Sequence, residues 1–143
     1  MAAMTRAEVE AFLARHKQSF ESRSARTLAA DHAENGTLQT PAEGTVTGRA
    51  EIQRVYEFWL TAFPDMDFGW DEPVVEGNRV AFFWDFEGTS SGQFFGDVRP
   101  GIPVRFNGAA EYVLSEEGIV SARHVYDFTG ALVSAGALKV KPT

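Results

Sequence analysis

The sequence has 143 residues, a formal net charge of −7 and no cysteine. This length is expected to form a single domain, residues 1–143, with a hydrophobic core of its own. The acidic balance argues against nucleic acid and anionic membranes as partners, because both attract basic surfaces, and the lack of cysteine excludes disulfides, thiolate metal sites and a cysteine nucleophile.

The N-terminal segment has the periodicity of two helices. Thr5 and Glu8 match a capping box, and apolar residues at helical spacing predict a first helix that runs to about Phe20. A second, shorter helix is expected to begin after Ser24 and to end before Asn35. No signal peptide or membrane span is expected, because the segment has no continuous apolar run, and this favours a cytoplasmic location.

A third helix is the clearest element of the sequence. Apolar residues recur after Gly48 at three- and four-residue spacing, and Pro64 ends the pattern. These apolar residues are Ile52, Val55, Tyr56, Trp59, Leu60 and Phe63. The preceding segment, residues 37–48, contains Pro41 and is expected to be extended or a loop.

The second half of the sequence predicts β-strands joined by hairpin turns. The expected strands lie near residues 66–75, 79–88, 103–115 and 119–128, with tight turns at 76–78 and 116–118. A glycine-rich loop is expected after the second strand, and one or two helical turns are expected in the tail. Helices followed by strands favour an α+β fold, in which the helices pack on the concave face of a strongly curved antiparallel sheet and leave an internal pocket.

Two motifs that could carry chemistry are better explained without it. Residues 88–92 match the G-x-S-x-G motif of serine hydrolases, but that motif requires a helix directly afterwards, and the following residues favour a loop. His16, His32 and His124 lie far apart and form no metal-binding spacing, so no metal or other cofactor is expected. His16 and His32 are expected on helix surfaces.

Asp127 is a polar residue at the end of the last predicted strand. Alternation places it on the same face as Arg123, and the neighbouring strand offers Asn107 and Glu111 on one of its own faces. If these faces line the pocket, the four side chains form a polar cluster, and if they face solvent they have no such role. From the residues alone, the simpler interpretation of Asp127 is a polar cap where the strand ends.

Three segments, in this order, carry a family resemblance. They are the helix from Gly48 to the end of Ala62-Phe63-Pro64-Asp65, the string W-x-x-x-G-T-x-x-G-x-F-x-G at Trp84–Gly96, and the pair Tyr126-Asp127. Together they resemble the SnoaL-like polyketide cyclases, a family of the nuclear-transport-factor-2-like cone fold. The resemblance implies a cofactor-free enzyme, a lyase or isomerase, that uses acid/base chemistry on a hydrophobic carbonyl substrate, by intramolecular aldol-type cyclisation or isomerisation in the cone pocket.

The resemblance also implies the residues of the site. The family's acid/base aspartate falls on Asp127, and Arg123 becomes a pocket residue that would hold this carboxylate ionised. The residues expected to bind substrate are Tyr56, Trp59, Phe63, Trp84, Phe86, Ser90, Asn107 and Glu111. Two positions depart from the family, which commonly has histidine in place of Ser90 and tryptophan in place of Arg123.

Other functions of the same fold stay open. An epoxide-hydrolase-like enzyme would activate water with Asp127, Arg123 and an inward-facing Asp85. A non-catalytic domain would instead bind a small molecule or a protein partner. Ketosteroid-isomerase chemistry is disfavoured, because Thr40 stands where those relatives carry their base.

A homodimer is expected, because helices cover one face of such a sheet and the other face needs a partner. The apolar residues on the even-numbered face of the last strand are expected to make this contact. They are Val120, Ala122, Tyr126 and Phe128. A small hydrophobic ligand or substrate is the other expected partner.

Overall fold

The computed structural model describes residues 3–142 of the chain. Within them, the helices are α1 (Arg6–Ser22), α2 (Ala25–Ala30), α3 (Arg49–Ala62) and α4 (Phe128–Ala135). The strands are β1 (His32–Thr40), β2 (Gly44–Thr47), β3 (Asp67–Trp70), β4 (Val74–Glu76), β5 (Arg79–Thr89), β6 (Pro103–Ser115) and β7 (Gly118–Tyr126). The strands form one sheet in the order β2-β1-β7-β6-β5-β3, and β4 also pairs with β5. None of the described helices is long and apolar enough to cross a membrane.

The two N-terminal helices form, but α2 ends at Ala30, earlier than the predicted end before Asn35. The Thr5 hydroxyl accepts a hydrogen bond from the Glu8 amide (3.1 Å), and the Glu8 carboxylate accepts one from the Thr5 amide (3.0 Å). This capping box satisfies two amide groups that the first turn of a helix leaves without partners. α1 ends slightly beyond its predicted end, where Arg23 adopts a left-handed φ of 50°. Ser24 then caps α2.

β1 begins within the segment that the sequence predicts to be helical, and only its residues 37–40 lie in the segment predicted to be extended or a loop. It includes Asn35 and Gly36, where the sequence predicts a chain break, and it pairs in parallel with β7. The register of this pairing shifts between His32 and Thr37. Gly36 is needed at the irregularity, because a Cβ there would lie 2.7 Å from the Ile119 carbonyl oxygen. The sheet is therefore mixed, which corrects the expectation of a purely antiparallel sheet.

The strands predicted for the second half of the chain are largely confirmed. β5, β6 and β7 occupy the predicted ranges and pair antiparallel in succession. The strand predicted near residues 66–75 is divided into β3 and β4. The residues between them include Pro73, which has no amide hydrogen to donate to a sheet. α4 forms the helical segment predicted for the tail.

One face of the curved sheet is covered by helices. Along β5, exposed side chains alternate with buried ones, and the buried set is Val80, Phe82, Trp84 and Phe86. These side chains belong to the same core as the apolar stripe of α3, in which Ile52 is fully buried. The arrangement confirms the predicted α+β fold, with helices on the inner face of the sheet.

Candidate functional site

A cavity lies between α3 and the inner face of the sheet. Its wall is mainly aromatic and includes Tyr56, Trp59, Trp84, Phe86, Phe106 and Tyr126. The centres of water-sized spheres can occupy about 80 Å³ of it. This volume is smaller than the roughly 300–1,000 Å³ that is typical of sites for drug-sized ligands. In this form the cavity therefore suits a compact ligand.

The structure divides the predicted substrate-binding residues into two groups. Four of them line the cavity, namely Tyr56, Trp59, Trp84 and Phe86. Phe63 is fully buried at the end of α3, where its ring centre lies 5.1 Å from that of Phe94, so it packs behind the wall. Ser90 is buried in the loop after β5, and its hydroxyl accepts a hydrogen bond from the Gly92 amide (3.2 Å). Neither Phe63 nor Ser90 lines the cavity.

The remaining polar residues of the predicted site lie on the opposite face of the sheet. They are Asn107, Glu111, Arg123 and Asp127. Glu111, for example, accepts a hydrogen bond from the exposed Arg79 side chain (2.6 Å). Alternation defines two faces of a strand, and the face that carries the fully buried Tyr112 packs against the helices. The odd-numbered side chains therefore point outward, and the predicted inward orientation is wrong.

Asp127 is the N-terminal cap of α4. Its carboxylate accepts a hydrogen bond from the Gly130 amide (2.8 Å), and a Cβ at position 130 would collide with that carboxylate. The interpretation of Asp127 as a cap is thus confirmed. The catalytic roles of Asp127 and Arg123 stay predictions, without a contact to the cavity. Asp85 is also exposed on the outer face, so the set of residues expected for water activation does not assemble around the cavity.

Three polar residues line the cavity although the sequence did not predict them there, namely Thr40, His124 and Tyr126, and the imidazole of His124 is the only base among them. Its imidazole lies in the wall, with its ring centre 5.9 Å from that of Trp84 and 6.3 Å from that of Phe68. Burial and, to a smaller extent, the nearby His16 together lower its pKa to about 4. The imidazole is therefore neutral at neutral pH. A signal was present in the sequence, because His124 shares a face of its strand with apolar residues, and such faces usually point to the core.

A carboxylate lies behind the wall at one end of the cavity. We name this end the Glu43 end and define it by Thr40, Glu43, Trp59 and Tyr126. The Glu43 carboxylate accepts hydrogen bonds from the Trp59 indole (2.8 Å) and from the Thr40 hydroxyl (2.5 Å). The Tyr126 hydroxyl is buried without a hydrogen bond of good geometry, although Thr40 lies near it. Burial, with the charge of Glu43, raises the pKa of Tyr126, so its hydroxyl stays protonated.

A buried polar network continues from the cavity toward α1. His16 shares a hydrogen bond of 2.7 Å with Asp31, and its other ring nitrogen lies 3.3 Å from the Tyr112 hydroxyl. His32 shares a hydrogen bond of 2.8 Å with the hydroxyl of Tyr56, a residue of the cavity wall. Both histidines are fully buried, which corrects their expected position on helix surfaces. Burial lowers the pKa of His16 and lowers the pKa of His32 to about 3.

The cavity therefore combines an aromatic wall with a few neutral polar groups. His124 can accept a proton, Tyr126 can donate a hydrogen bond, and the Trp84 indole N–H is buried without a partner. Among residues 3–142, no three histidine, aspartate or glutamate side chains are placed to hold a metal ion. Of these groups, the imidazole can exchange a proton with a bound carbonyl compound, and the hydroxyl and indole N–H can donate hydrogen bonds to it.

Solved structures share this fold along nearly the whole chain. AclR of Streptomyces galilaeus, a candidate hydroxylase, is 22% identical, with a TM-score of 0.80 over 96% of this chain and 87% of its own. IdmH of Streptomyces antibioticus, a candidate polyketide cyclase, is 23% identical, with a TM-score of 0.75 over 90% of this chain and 99% of its own. A hypothetical protein of ketosteroid-isomerase-like fold from Catenulispora acidiphila DSM 44928, solved in complex with trimethylamine, is 19% identical, with a TM-score of 0.75 over 92% and 97%. Identities this low show a common fold alone.

The sequence comparisons extend from the fold to a family. No curated protein matches the sequence. The family model of the SnoaL-like polyketide cyclases matches residues 10–133, which is most of the chain and includes every element that lines the cavity. The chain therefore belongs to the SnoaL-like polyketide cyclase family.

Proposed function

We propose that the protein is a polyketide-cyclase-like enzyme that carries out acid/base chemistry on a hydrophobic carbonyl substrate in the cavity. In this proposal His124 takes the role that the family resemblance implies for Asp127. One observation carries the proposal: a neutral imidazole, without a hydrogen bond to any described residue, lines an otherwise aromatic cavity. His124 is half-buried, and its ring nitrogens form no hydrogen bond with a described residue, so a ligand in the cavity is a natural partner for them.

The reaction requires a proton to leave a carbon beside a carbonyl group. The free nitrogen of His124 takes this proton, the C–H electrons become an enolate, and the imidazole becomes an imidazolium. In a cyclisation the enolate carbon then attacks a second carbonyl carbon, and the resulting alkoxide receives the proton back. In an isomerisation the proton returns to a different carbon. Both sequences balance in protons and electrons without a metal or nucleotide.

Tyr126 is placed to support the enolate. Its protonated hydroxyl has no hydrogen bond of good geometry within residues 3–142 and lines the same cavity as His124. A donor aimed at developing negative charge in an apolar site lowers the barrier more than it would in water. The aromatic wall would hold the flat rings of a substrate, and a substrate of several rings requires side chains at the cavity to move, because the free volume is small.

The test is deuterium exchange into a simple ketone. With 2-tetralone as the probe, the exchange of its α-hydrogens in deuterium oxide is followed by NMR with and without the protein. We expect the wild-type chain to accelerate exchange and His124→Asn to lose about a hundred- to ten-thousand-fold of this acceleration. Asp127→Asn is the matched comparison, because it keeps the cap and changes the residue that the sequence favoured.

The result separates the two candidate bases. Loss of exchange in His124→Asn with full exchange in Asp127→Asn is expected. The opposite pattern would move the chemistry to Asp127 on the outer face and refute the role of His124. Thermal melting of both variants shows whether either loss reflects unfolding. Exchange should also persist in the presence of EDTA, and its loss there would contradict a metal-free reaction.

A second candidate function is the binding of a compact ligand without chemistry. The observation that favours it is the free volume of about 80 Å³, which is small for a polyketide of several rings. A neighbour of the same fold holds trimethylamine, a ligand of suitable size. Titration with a size series of apolar ligands, followed by tryptophan fluorescence, would test this candidate, because only compact members should bind.

A further inference from the structure

The cavity has an asymmetric electrostatic environment. Its described lining residues include no lysine, arginine, aspartate or glutamate. Glu43 nevertheless lies directly behind two of the lining residues. Its carboxylate accepts hydrogen bonds from Trp59 (2.8 Å) and from Thr40 (2.5 Å). No lysine or arginine among residues 3–142 forms an ion pair with Glu43. At the Glu43 end, a carboxylate therefore lies one hydrogen bond behind the cavity wall and has no ion-pair partner among residues 3–142.

Trp59 transmits this charge to the cavity. Its indole N–H donates to the carboxylate, which increases the electron density of the ring system. The Trp59 ring centre lies 5.9 Å from that of Phe86, 6.0 Å from that of Phe106 and 6.1 Å from that of Tyr126. The face of an indole is the best aromatic partner for an organic cation, and several rings around one small space are the arrangement that recognises quaternary ammonium groups.

The other polar groups of the cavity do not oppose this effect. His124 is neutral at neutral pH and Tyr126 is protonated, so neither supplies a positive charge. An anionic ligand would meet Glu43 without a compensating cation, and leaving a charge unpaired in an apolar site is costly. A compact ammonium group with alkyl substituents is weakly hydrated and would meet both aromatic faces and a carboxylate.

We propose that Glu43 and Trp59 make this cavity selective for compact alkylammonium ligands over neutral ligands of the same shape. The inference rests on the second candidate function, the binding of a compact ligand, and goes beyond it by assigning the charge of the ligand and the residues that select it. It is independent of the proton transfer assigned to His124.

The test compares two probes that differ only in charge. Choline carries a trimethylammonium group, and 3,3-dimethylbutan-1-ol replaces its nitrogen with carbon. Each is titrated into the full chain near pH 7.5, with tryptophan fluorescence and the indole N–H signals in NMR as readouts, and with sodium chloride as the control for ionic strength. We expect choline to bind at least about tenfold more tightly, which corresponds to roughly 1.4 kcal/mol.

Two variants assign the selectivity to Glu43. Glu43→Gln keeps the size of the side chain and an oxygen that can accept from Trp59, but it removes the charge. This variant should bind choline several-fold more weakly and should bind the neutral probe with unchanged affinity. Glu57→Gln is the matched control, because Glu57 lies on the exposed side of α3, where its carboxylate accepts a hydrogen bond from Gln53 (2.9 Å). This variant should leave both affinities unchanged.

Each outcome of the titrations bears on the inference. Equal binding of the two probes, or unchanged selectivity in Glu43→Gln with a normal melting temperature, would overturn charge selection while leaving the cavity a compact-ligand site. Failure of both probes to bind across the millimolar range would refute the compact-ligand function and the inference with it. None of these results alters the expectation for His124→Asn in the ketone exchange.

Discussion

His124 and Asp127 are three positions apart in the chain, but they lie in different environments. His124 faces an aromatic wall, where burial lowers its pKa to about 4. Such a base is comparable in strength to an ordinary carboxylate and is unprotonated at neutral pH. Asp127 is exposed and holds the first turn of α4. The family resemblance implies the aspartate as the acid/base group, whereas the position of the side chain in the folded chain favours the histidine.

The cap role of Asp127 predicts a loss of stability on substitution. Asp127→Ala removes the acceptor for the Gly130 amide and should lower the free energy of unfolding by about 1 kcal/mol. Asp127→Asn keeps an acceptor oxygen and should change it little. Urea unfolding of the two variants beside the wild type measures both values. Equal stability of the alanine variant and the wild type would contradict the cap role.

At the scale of elements, hydrogen bonds between aromatic side chains tie the helices to the sheet. Tyr56 of α3 shares a hydrogen bond with His32 of β1, and His16 of α1 lies within hydrogen-bonding distance of Tyr112 of β6. These side chains are fully buried or nearly so. The polar contacts therefore fix the positions of α1 and α3 relative to the sheet. A shift of either helix would leave buried polar groups without partners.

Two tyrosines of the cavity wall allow this role to be tested. Tyr56→Phe removes a hydrogen bond of 2.8 Å and leaves His32 without a partner for that ring nitrogen. The free energy of unfolding should fall by about 1–3 kcal/mol. Tyr126→Phe is the control, since its hydroxyl has no hydrogen bond of good geometry to lose, and it should be close to neutral. Similar losses in both variants would show that the cost comes from cavity packing, not from the network.

For the whole molecule, the buried histidines predict a steep loss of stability in acid. Burial lowers the pKa of His16, and it lowers the pKa of His32 to about 3 and that of His124 to about 4. Below about pH 6.5 the unfolded chain protonates its histidines, whereas the folded chain does not. The unfolded state then binds more protons, so stability is fully present above this pH and falls as the pH drops toward 4.

Each such histidine should remove up to about 1.4 kcal/mol of unfolding free energy per pH unit within its window. Burial acts to raise the pKa of Asp31, but the hydrogen bonds with His16 and Ser19 outweigh burial and lower it, and this adds a loss of the same sign at lower pH. Urea unfolding between about pH 7.5 and pH 5 measures the slope. An unfolding free energy that does not change over this range would contradict the burial of neutral histidines, and His124→Gln should reduce the slope.

The homodimer stays a prediction, but the structure changes the surface on which it depends. Ala122 and Tyr126 face the interior, so the even-numbered face of β7 is not available to a partner. On the outer face, register places the exposed Phe83 beside Ala109 and Ala109 beside the exposed Val125, which gives an apolar row across three strands. Burying such a row against a second copy would remove it from water.

Light scattering at micromolar concentration tests the oligomeric state. We expect a dimer for the wild type and a monomer for Phe83→Glu, because a buried unpaired charge disfavours the contact. Glu87→Gln, an exposed position of the same strand and face, is the control and should leave the dimer intact. A monomeric wild-type protein under these conditions would contradict the predicted homodimer.

The sequence by itself determined the local elements and the fold class. The capping box of Thr5 and Glu8, the apolar periodicity that ends at Pro64 and the strand alternation along β5 are all set by residues close together in the chain. Short-range geometry and hydrophobic periodicity are sufficient for such features. The ordered motifs then indicated the family, and the four aromatic residues of the cavity wall followed from α3 and β5.

Only the tertiary structure decided what depends on contacts between distant segments. Alternation gave two possible inner faces for β7, and the packing of the helices selected the face with His124. The parallel pairing of β1 with β7 joins segments that lie more than eighty residues apart, so no local sequence pattern could predict it. His16 can be buried because Asp31 and Tyr112 provide hydrogen-bond partners for its two ring nitrogens. Burial and orientation are properties of the packed chain, and they moved the proposed chemistry from an exposed carboxylate to a neutral imidazole inside the cavity.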